Sequence, residues 1–534
     1  MIALIILISF ASINIATAQI PTIEWTFDFN DNAFGQSAAA DIDGDGKLEI
    51  IFSTYRNDNS LYVINAEDGT VLWSVNTGGC NDSAPLICDV NSDGALEIVL
   101  AESCVPVTTC FNGATGAVIW QTDTRGSDSP PSIADIDGDG ALEILHGQFE
   151  GWVVCLDAAT GAKKWDLPVD TNSWIQTAPT IEGLDGDGAL DFVVANWSFG
   201  DEHRIFAFRG VDHSLLWEST LPDNYFYNGS TVADIDGDGT KEVLIACYDT
   251  YLYVLNGEDG SLQWRYSYSP ESWYYAAAPV IVADINGDEV LDELFFSGPM
   301  AILLNPEGDT LWTFNMRNYT SSFRGAALSD INEEPGMEIA FGTNDGRLFL
   351  ISGSDGSEIW SINLWEQYGD TLEIDHAPLI ADFNQDSKMD VFIIGGKTNY
   401  PDVENNYGRA YMITAGDGSG PDWLMFQRNE CRNPFIPVQH TGVENKQVLS
   451  ENLIKTAFIR DDKLFFDIKS KAQSINLALY DVLGRTIYTN SFQLPDAGNI
   501  SLDLYDVKLN SGLYFLSIIM DNSYCSAPIL VFKD

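Results

Sequence analysis

DIDGDGKLE, Asp41 to Glu49, places carboxylates at its first, third, fifth and ninth positions and glycines at its fourth and sixth. Variants begin at Asp89, Asp135, Gly183, Asp234, Asp284, Asp330 and Asp382, at spacings of 48, 46, 48, 51, 50, 46 and 52 residues. A unit of that period cannot bury its apolar face alone and must pack on its neighbours, which predicts a propeller or repeat array. Each unit has two halves. A small-residue strand, the acidic loop and an apolar strand come first, as in SAPLICDVNSDGALEIVLA, Ser83 to Ala101. An alternating strand, a Gly turn and a strand carrying Trp follow, as in LYVINAEDGTVLWSV, Leu61 to Val75. Period-two alternation bounded by Asn, Asp and Gly marks short antiparallel strands. Four strands per unit is one propeller blade.

Tryptophans count the blades. Trp73, Trp120, Trp165, Trp217, Trp264, Trp312, Trp360 and Trp423 follow the eight acidic loops in turn, and Trp25 precedes them all. IEWTFDF, Ile23 to Phe29, reads as a spare outer strand that completes the last blade and removes an exposed sheet edge; Trp423 would then sit elsewhere. The expected fold is all-β: an eight-bladed β-propeller over residues 19–440, with seven blades as the alternative. A linker over 441–455 then leads to a small C-terminal β-sandwich domain over 456–534. In that domain strands are expected near Lys463 to Ile468, Ile475 to Val482, Thr486 to Phe492 and Gly512 to Met520.

The N-terminal run Ile2 to Ile8, followed by small residues ending in Ala16-Thr17-Ala18, reads as a secretory signal peptide over residues 1–18. The 534 residues carry 79 acidic against 26 basic side chains, a formal charge of -53. That argues against nucleic acid and anionic membranes as partners and makes divalent cations the expected counter-charge. No later stretch is apolar enough to span a membrane, and a monomer is expected. Eight cysteines in an exported chain permit disulfides. Cys80, on an entry loop, should lie beside Cys104 of the same blade; Cys104–Cys110 is the competing pair. Cys88, Cys155 and Cys247 fall in strands and read as thiols.

A hard dication such as calcium takes six to eight oxygens in a flexible cage. The first loop supplies Asp41, Asp43, Asp45, a backbone carbonyl at Lys47, and Glu49. The second supplies Asp89, Asn91, Asp93, Ala95 and Glu97, the third Asp135, Asp137, Asp139, Ala141 and Glu143. The fourth begins with Gly183, leaving Asp185, Asp187 and Asp191. The fifth supplies Asp234, Asp236, Asp238, Thr240 and Glu242. The sixth (Asp284, Asn286, Asp288, Asp292) and eighth (Asp382, Asn384, Asp386, Asp390) lack the second glycine, and DINEEPGME, Asp330 to Glu338, is the weakest. An EF-hand closes at position 12 between helices; these loops close at position 9 and run into strands. The competing reading is Asp/Gly turns capping their own backbone.

These D-x-D-x-D-G-x-x-[DE] loops resemble FG-GAP/VCBS repeats, the family that includes integrin α-subunit propellers, and the resemblance implies bound calcium. The second halves, such as LDAATGAKKW (Leu156 to Trp165) and NGEDGSLQW (Asn256 to Trp264), resemble the tryptophan-docking motif of quinoprotein-type propellers, which implies Trp packing between blades. LYDVLGRTIY (Leu479 to Tyr488) and LNSGLYFLSI (Leu509 to Ile518) resemble the C-terminal sorting domain of the Bacteroidetes type IX (Por) secretion system. That implies handling by the type IX machinery and a product secreted or attached to the outer cell surface.

The face opposite the acidic loops receives Trp174, Tyr225, Phe226, Tyr227, Trp273, Tyr274, Tyr275, Tyr319 and Phe323 from entry loops. Arg56, Asn57, His146, Trp197, Tyr248 and Tyr400 arrive from the loops between second and third strands. Aromatics with interspersed polar groups suit sugars or protein loops. The reading is a calcium-stabilised binding or adhesion module for a polysaccharide or extracellular protein. The alternative is an extracellular polysaccharide-degrading enzyme, since some calcium-binding eight-bladed propellers with similar loops are rhamnogalacturonan lyases. His146, His376 and Arg324 are the few candidates for such chemistry, and no nucleophile or zinc motif stands out. A quinone-dependent dehydrogenase is disfavoured by the lack of a C-x-x-C-H haem site.

Overall fold

The computed structural model describes residues 21–436 apart from 201, 222–223, 269–274, 318–319, 333, 370–371, 419 and 430–431, together with C-terminal strands between 454 and 531. The signal peptide, nearly all of the linker, and Trp273, Tyr274 and Tyr319 lie outside the described residues. Eight four-stranded antiparallel sheets make the propeller. Blade 1 is typical: Ser37–Ala40, Glu49–Ser53, Ser60–Asn65 and Val71–Asn76 pair in sequence order. Its first two strands are nearly all buried and its fourth alternates towards solvent, as expected for a wedge whose inner edge lines an axis. The acidic loop joins the first two strands of every blade, so all eight loops share one face.

Blade 8 is closed by the N-terminus. Thr22–Phe29 pairs with Tyr407–Gly416 outside Met389–Lys397 and Leu379–Ala381. Two distant segments thereby satisfy each other's ladder groups, and no open edge is left there. The tryptophans then tie blade to blade. The Nε1–H of Trp25, Trp73, Trp120, Trp217 and Trp312 donates to Ala66, Gly113, Ala158, Gly257 and Gly353 of the next blade at 2.7–3.0 Å. Each ring also covers the Gly turn of that blade: at Gly260, with φ of +69°, a Cβ would lie 2.5 Å from the Trp217 ring. Blade 4 carries His213 at this turn, and Trp165 packs against it with ring centroids 4.3 Å apart.

The path of residues 420–429 and 432–436 is unforeseen in the repeat pattern. Trp423 is no outer-strand tryptophan; it is buried and exchanges backbone hydrogen bonds with Ile380 of blade 8. Around it the chain meets the innermost strand of every blade or a residue flanking that strand. Asp330 of blade 7 bridges Gly420, and Ala39 of blade 1 donates to Leu424. The guanidinium of Arg432 donates to Pro131 of blade 3 at 2.9 Å and Pro85 of blade 2 at 3.1 Å. The Arg432 carbonyl accepts from Thr180 of blade 4, Asn433 pairs with Val232 of blade 5, and Ile436 donates to Val282 of blade 6. A segment that meets the inner strand of every blade, or a residue flanking it, lies on the axis and plugs the channel.

A second compact unit covers Gln439–Asp534. Within it, Ile454–Arg460, Lys463–Ile468 and Gly498–Asp503 form one antiparallel sheet. Ala472–Asp481, Thr486–Leu494, Gly512–Met520 and Ser523–Val531 form the other.

Candidate functional site

One carboxylate anchors each acidic loop. The ninth-position acid, at the start of the second strand, is buried and accepts the N–H of the second residue in all eight loops. The pairs are Glu49–Ile42, Glu97–Val90, Glu143–Ile136, Asp191–Leu184, Glu242–Ile235, Asp292–Ile285, Glu338–Ile331 and Asp390–Phe383, at 2.7–3.2 Å. The first-position Asp accepts the N–H of the sixth residue, as in Asp41–Gly46, Asp89–Gly94, Asp135–Gly140 and Asp234–Gly239. Glu289 and Ser387 take the place of that glycine in loops 6 and 8 with φ of 68° and 69°, so the missing glycines do not change the winding. Fifth-position acids accept from Lys47, Ala95, Ala141 and Thr240 at 2.7–2.9 Å.

Self-capping turns therefore use many of the carboxylate oxygens. Oxygens of Asp41, Asp43 and Asp45 lie within 4.8 Å of one another, as do those of Asp135, Asp137 and Glu143, and of Asp234, Asp236 and Glu242. Asp135 Oδ1, Asp234 Oδ1 and Asp390 Oδ1 are buried with no hydrogen-bond partner. Burial, then the charges of neighbouring Asp residues, pushes the carboxyls of Glu49, Asp292 and Asp390 up to about 7. An all-oxygen cluster with unused lone pairs and excess negative charge fits a hard dication.

Two loops bring their own cation. Lys164, directly before the blade 3 tryptophan, places Nζ 2.8 Å from Asp137 and Glu143 and 3.4 Å from Asp139. Its pKa is driven upwards by those hydrogen bonds. The loop that looks complete in sequence is thus already bridged by an ammonium. In loop 4, Arg209 pairs with Asp185 at 2.9 Å, leaving Asp187 and Asp191 of the predicted set. In loop 6 the Asn286 amide lies 3.2 Å from Asp288 and Asp292. Asn91 stands similarly to Glu97, at 3.4 Å, while Asp93 caps Ala95. In loop 8, Asp382 and Asn384 accept from Asp386 N, and Asp386 accepts from Lys388.

The opposite face is aromatic. Trp197 stacks on Tyr225 at 4.5 Å and meets Tyr227 and Tyr248 edge-on. Tyr248 leads to Tyr275 at 5.0 Å, and Tyr227 to Phe323 at 4.9 Å. A second group, Phe149, Trp174 and Phe199, packs at 4.8 and 5.0 Å, with Phe199 58% exposed. Tyr400 is 90% exposed. Phe226 is fully buried and is packing, not surface. His146 is also a correction: it lies within a strand, fully buried, bonded to Thr108 Oγ1 and Gly147 O, and does not reach the face. Arg324 and His376, on the entry loops of blades 7 and 8, are buried. Cys80 and Cys104 are joined by a disulfide, Cys110 is a free buried thiol, and Cys88 is half-buried.

Comparisons with known proteins agree with this geometry. Residues 41–100 match the FG-GAP-like repeat, residues 106–304 match the family described as outer membrane protein assembly factor BamB, and residues 462–531 match the secretion system C-terminal sorting domain. No curated protein sequence matches the chain. Among solved structures, the quinohemoprotein alcohol dehydrogenase ADHIIG from Pseudomonas putida HK5 superposes with a TM-score of 0.52 at 11% identity, over 75% of this chain and 77% of that one. The quinohemoprotein alcohol dehydrogenase from Comamonas testosteroni gives 0.50 at 12%, over 75% and 77%. Sqt1 of Saccharomyces cerevisiae gives 0.51 at 10%, over 72% and 97%. Such low identities show the fold alone. The chain carries an FG-GAP repeat, a BamB-like propeller region and a type IX sorting domain, and the last indicates a secreted or outer-surface protein.

Proposed function

We propose that this chain is a calcium-stabilised propeller that binds a polysaccharide or extracellular protein through the face opposite its acidic loops. The observation that carries the reading is the division of labour between the two faces. One repeats a single carboxylate turn eight times, as a scaffold requires; the other differs from blade to blade and gathers aromatic side chains. Variation on a fixed frame is how rigid folds present recognition surfaces.

Calcium would be held by the inward oxygens of Asp41, Asp43, Asp45 and Glu49 in blade 1, and of Asp234, Asp236, Asp238 and Glu242 in blade 5. Blade 3 would take it only after Lys164 moves aside. Loops 2, 6 and 8 offer Asp89, Asp93 and Glu97; Asp284, Asp288 and Asp292; and Asp382, Asp386 and Asp390. A dication there supplies the counter-charge that the buried ninth-position acids lack and ties the first two strands of the blade together.

Retention on immobilised polysaccharides tests the binding claim. Binding without new reducing or unsaturated ends supports it; cleavage would instead mark an enzyme.

A further inference from the structure

Polar side chains converge on the axis of the aromatic face from several blades. Asp82 and Asp128 come from the entry loops of blades 2 and 3, Gln176 and Asn228 from blades 4 and 5, and Arg324 and Asp375 from blades 7 and 8. Arg324 is 4% exposed, lies 4.7 Å over the Tyr227 ring and 5.3 Å over Phe323, and its NH1 is 3.5 Å from Asn228 Oδ1. Its charge pulls down the carboxyls of Asp82, Asp128 and Asp375, three acids on three blades, so it stands within electrostatic reach of all of them. Burial outweighs that pull and leaves each carboxyl above its ordinary value. Gln176 Nε2 donates to Asp128 at 2.8 Å. Phe426 and Gln427 of the plug line a small cavity together with Arg324, Pro279, Ile281 and Ala326.

The unused hydrogen-bonding capacity of this pit is mixed in kind. Asp82 Oδ1, Gln176 Oε1 and Gln427 Oε1 are acceptors, and Arg324 Nε and Gln427 Nε2 are donors, all buried and without partners. Gln176 and Gln427 are themselves 6% and 2% exposed. Unpaired buried groups cost free energy unless a ligand meets them. A metal ion would use only the acceptors, and among the described residues no metal-competent acid group includes these positions. A phosphate or sulfate would use only the donors and meet the acids Asp82 and Asp128. A lysine or arginine side chain would leave Arg324 both unpaired and repelled. A hydroxyl both donates and accepts, so a cluster of hydroxyls matches the whole set.

We propose that the axial pit formed by Asp82, Asp128, Gln176, Arg324 and Gln427, walled by Tyr227 and Phe323, binds the terminal unit of a neutral or amino-bearing saccharide. This deepens the reading above and rests on it. The plug makes the pit a dead end, so a chain end enters and a threaded strand does not. The acids Asp82 and Asp128 disfavour uronic and sulfated sugars.

The test is a glycan array of neutral, amino, uronic and sulfated oligosaccharides probed with the full chain in calcium, followed by calorimetry on the best ligand. Asp82→Asn and Gln176→Leu are the pit variants, and Phe199→Ala is the rim control; melting temperature verifies folding. Neutral or amino glycans should bind with affinity independent of length beyond the first few units, and each pit variant should lose at least about tenfold, ~1.4 kcal/mol, while Phe199→Ala loses less than about threefold. Weakening by Phe199→Ala alone would sink the pit but leave the aromatic-face reading standing. Selection of uronic or sulfated glycans would overturn the assignment of ligand class. No retained glycan, with the pit holding only water, would overturn the pit and leave the face to protein partners.

Discussion

Arg432 is the side chain on which the axis turns. It is completely buried and donates to Phe426 at 2.7 Å, Pro131 at 2.9 Å and Pro85 at 3.1 Å, joining the plug to itself and to blades 2 and 3. Arg432→Met keeps much of the stem and removes the charge. Three buried carbonyls then lose a charged donor, at about 1–2 kcal/mol each, against which the relieved desolvation of the guanidinium returns part. The expected net loss is about 3 kcal/mol. Arg432→Ala adds an unfilled cavity and about 1–2 kcal/mol more. Unfolding entropy near 2.1 cal/mol/K per residue over a roughly 400-residue ring gives ~0.9 kcal/mol/K, so Tm should fall by about 3–4 °C for Met and 4–6 °C for Ala. Differential scanning calorimetry in calcium reads both. If both variants melt within about 1 °C of the parent, the plug is a passive filler and its role as a strut is wrong.

Lys164→Gln should free the blade 3 carboxylates and enlarge the calcium-dependent gain in Tm, measured by melting with and without 1 mM calcium; an unchanged gain would mean that loop takes no metal. Trp217→Phe removes the 2.7 Å bond to Gly257 but keeps an aromatic face on the Gly260 turn, and should cost about 1–1.5 kcal/mol in chemical denaturation. Gly260→Ala should cost more, about 2–3 kcal/mol, because its φ is +69° and the new methyl meets Trp217 at 2.5 Å. In chelator, Glu49, Asp292 and Asp390 bind protons in the folded state up to about pH 7, above their unfolded values. The folded state then holds more protons than the unfolded one between roughly pH 4.5 and 7, so metal-free stability should rise as pH falls from 8 towards 5. Calcium should flatten that slope, and a parallel slope in calcium would contradict the assignment.

The ring was legible because its signals are local and repeated. Period-two strands, an acidic turn of fixed length and one Trp per unit each recur at nearly constant spacing, and Ile23 to Phe29 betrayed itself as a surplus outer strand. The plug carries no such signal: RNECRNPF, Arg428 to Phe435, has neither alternation nor repeat, and its order comes from carbonyls supplied by blades hundreds of residues away. The acidic loops were likewise readable as a class, but not their internal cations. Lys164 sits where blades 1 and 2 have Leu72 and Ile119. Only the pairing of the fourth strand with the third brings that position over the loop. The axial pit combines single residues from several entry loops, so no contiguous motif announces it.

Calcium held by the acidic turns is the premise on which scaffold and face both depend. Equilibrium dialysis of the full chain against calcium, coupled to thermal melting, measures it directly. For sites of ~10⁻⁴ M at 1 mM calcium each contributes ~1.4 kcal/mol, so two or three occupied loops should raise Tm by about 3–5 °C over chelator, with at least two ions bound per chain. A chain that binds no calcium above a magnesium-matched background, and melts at the same temperature in chelator, would contradict the account.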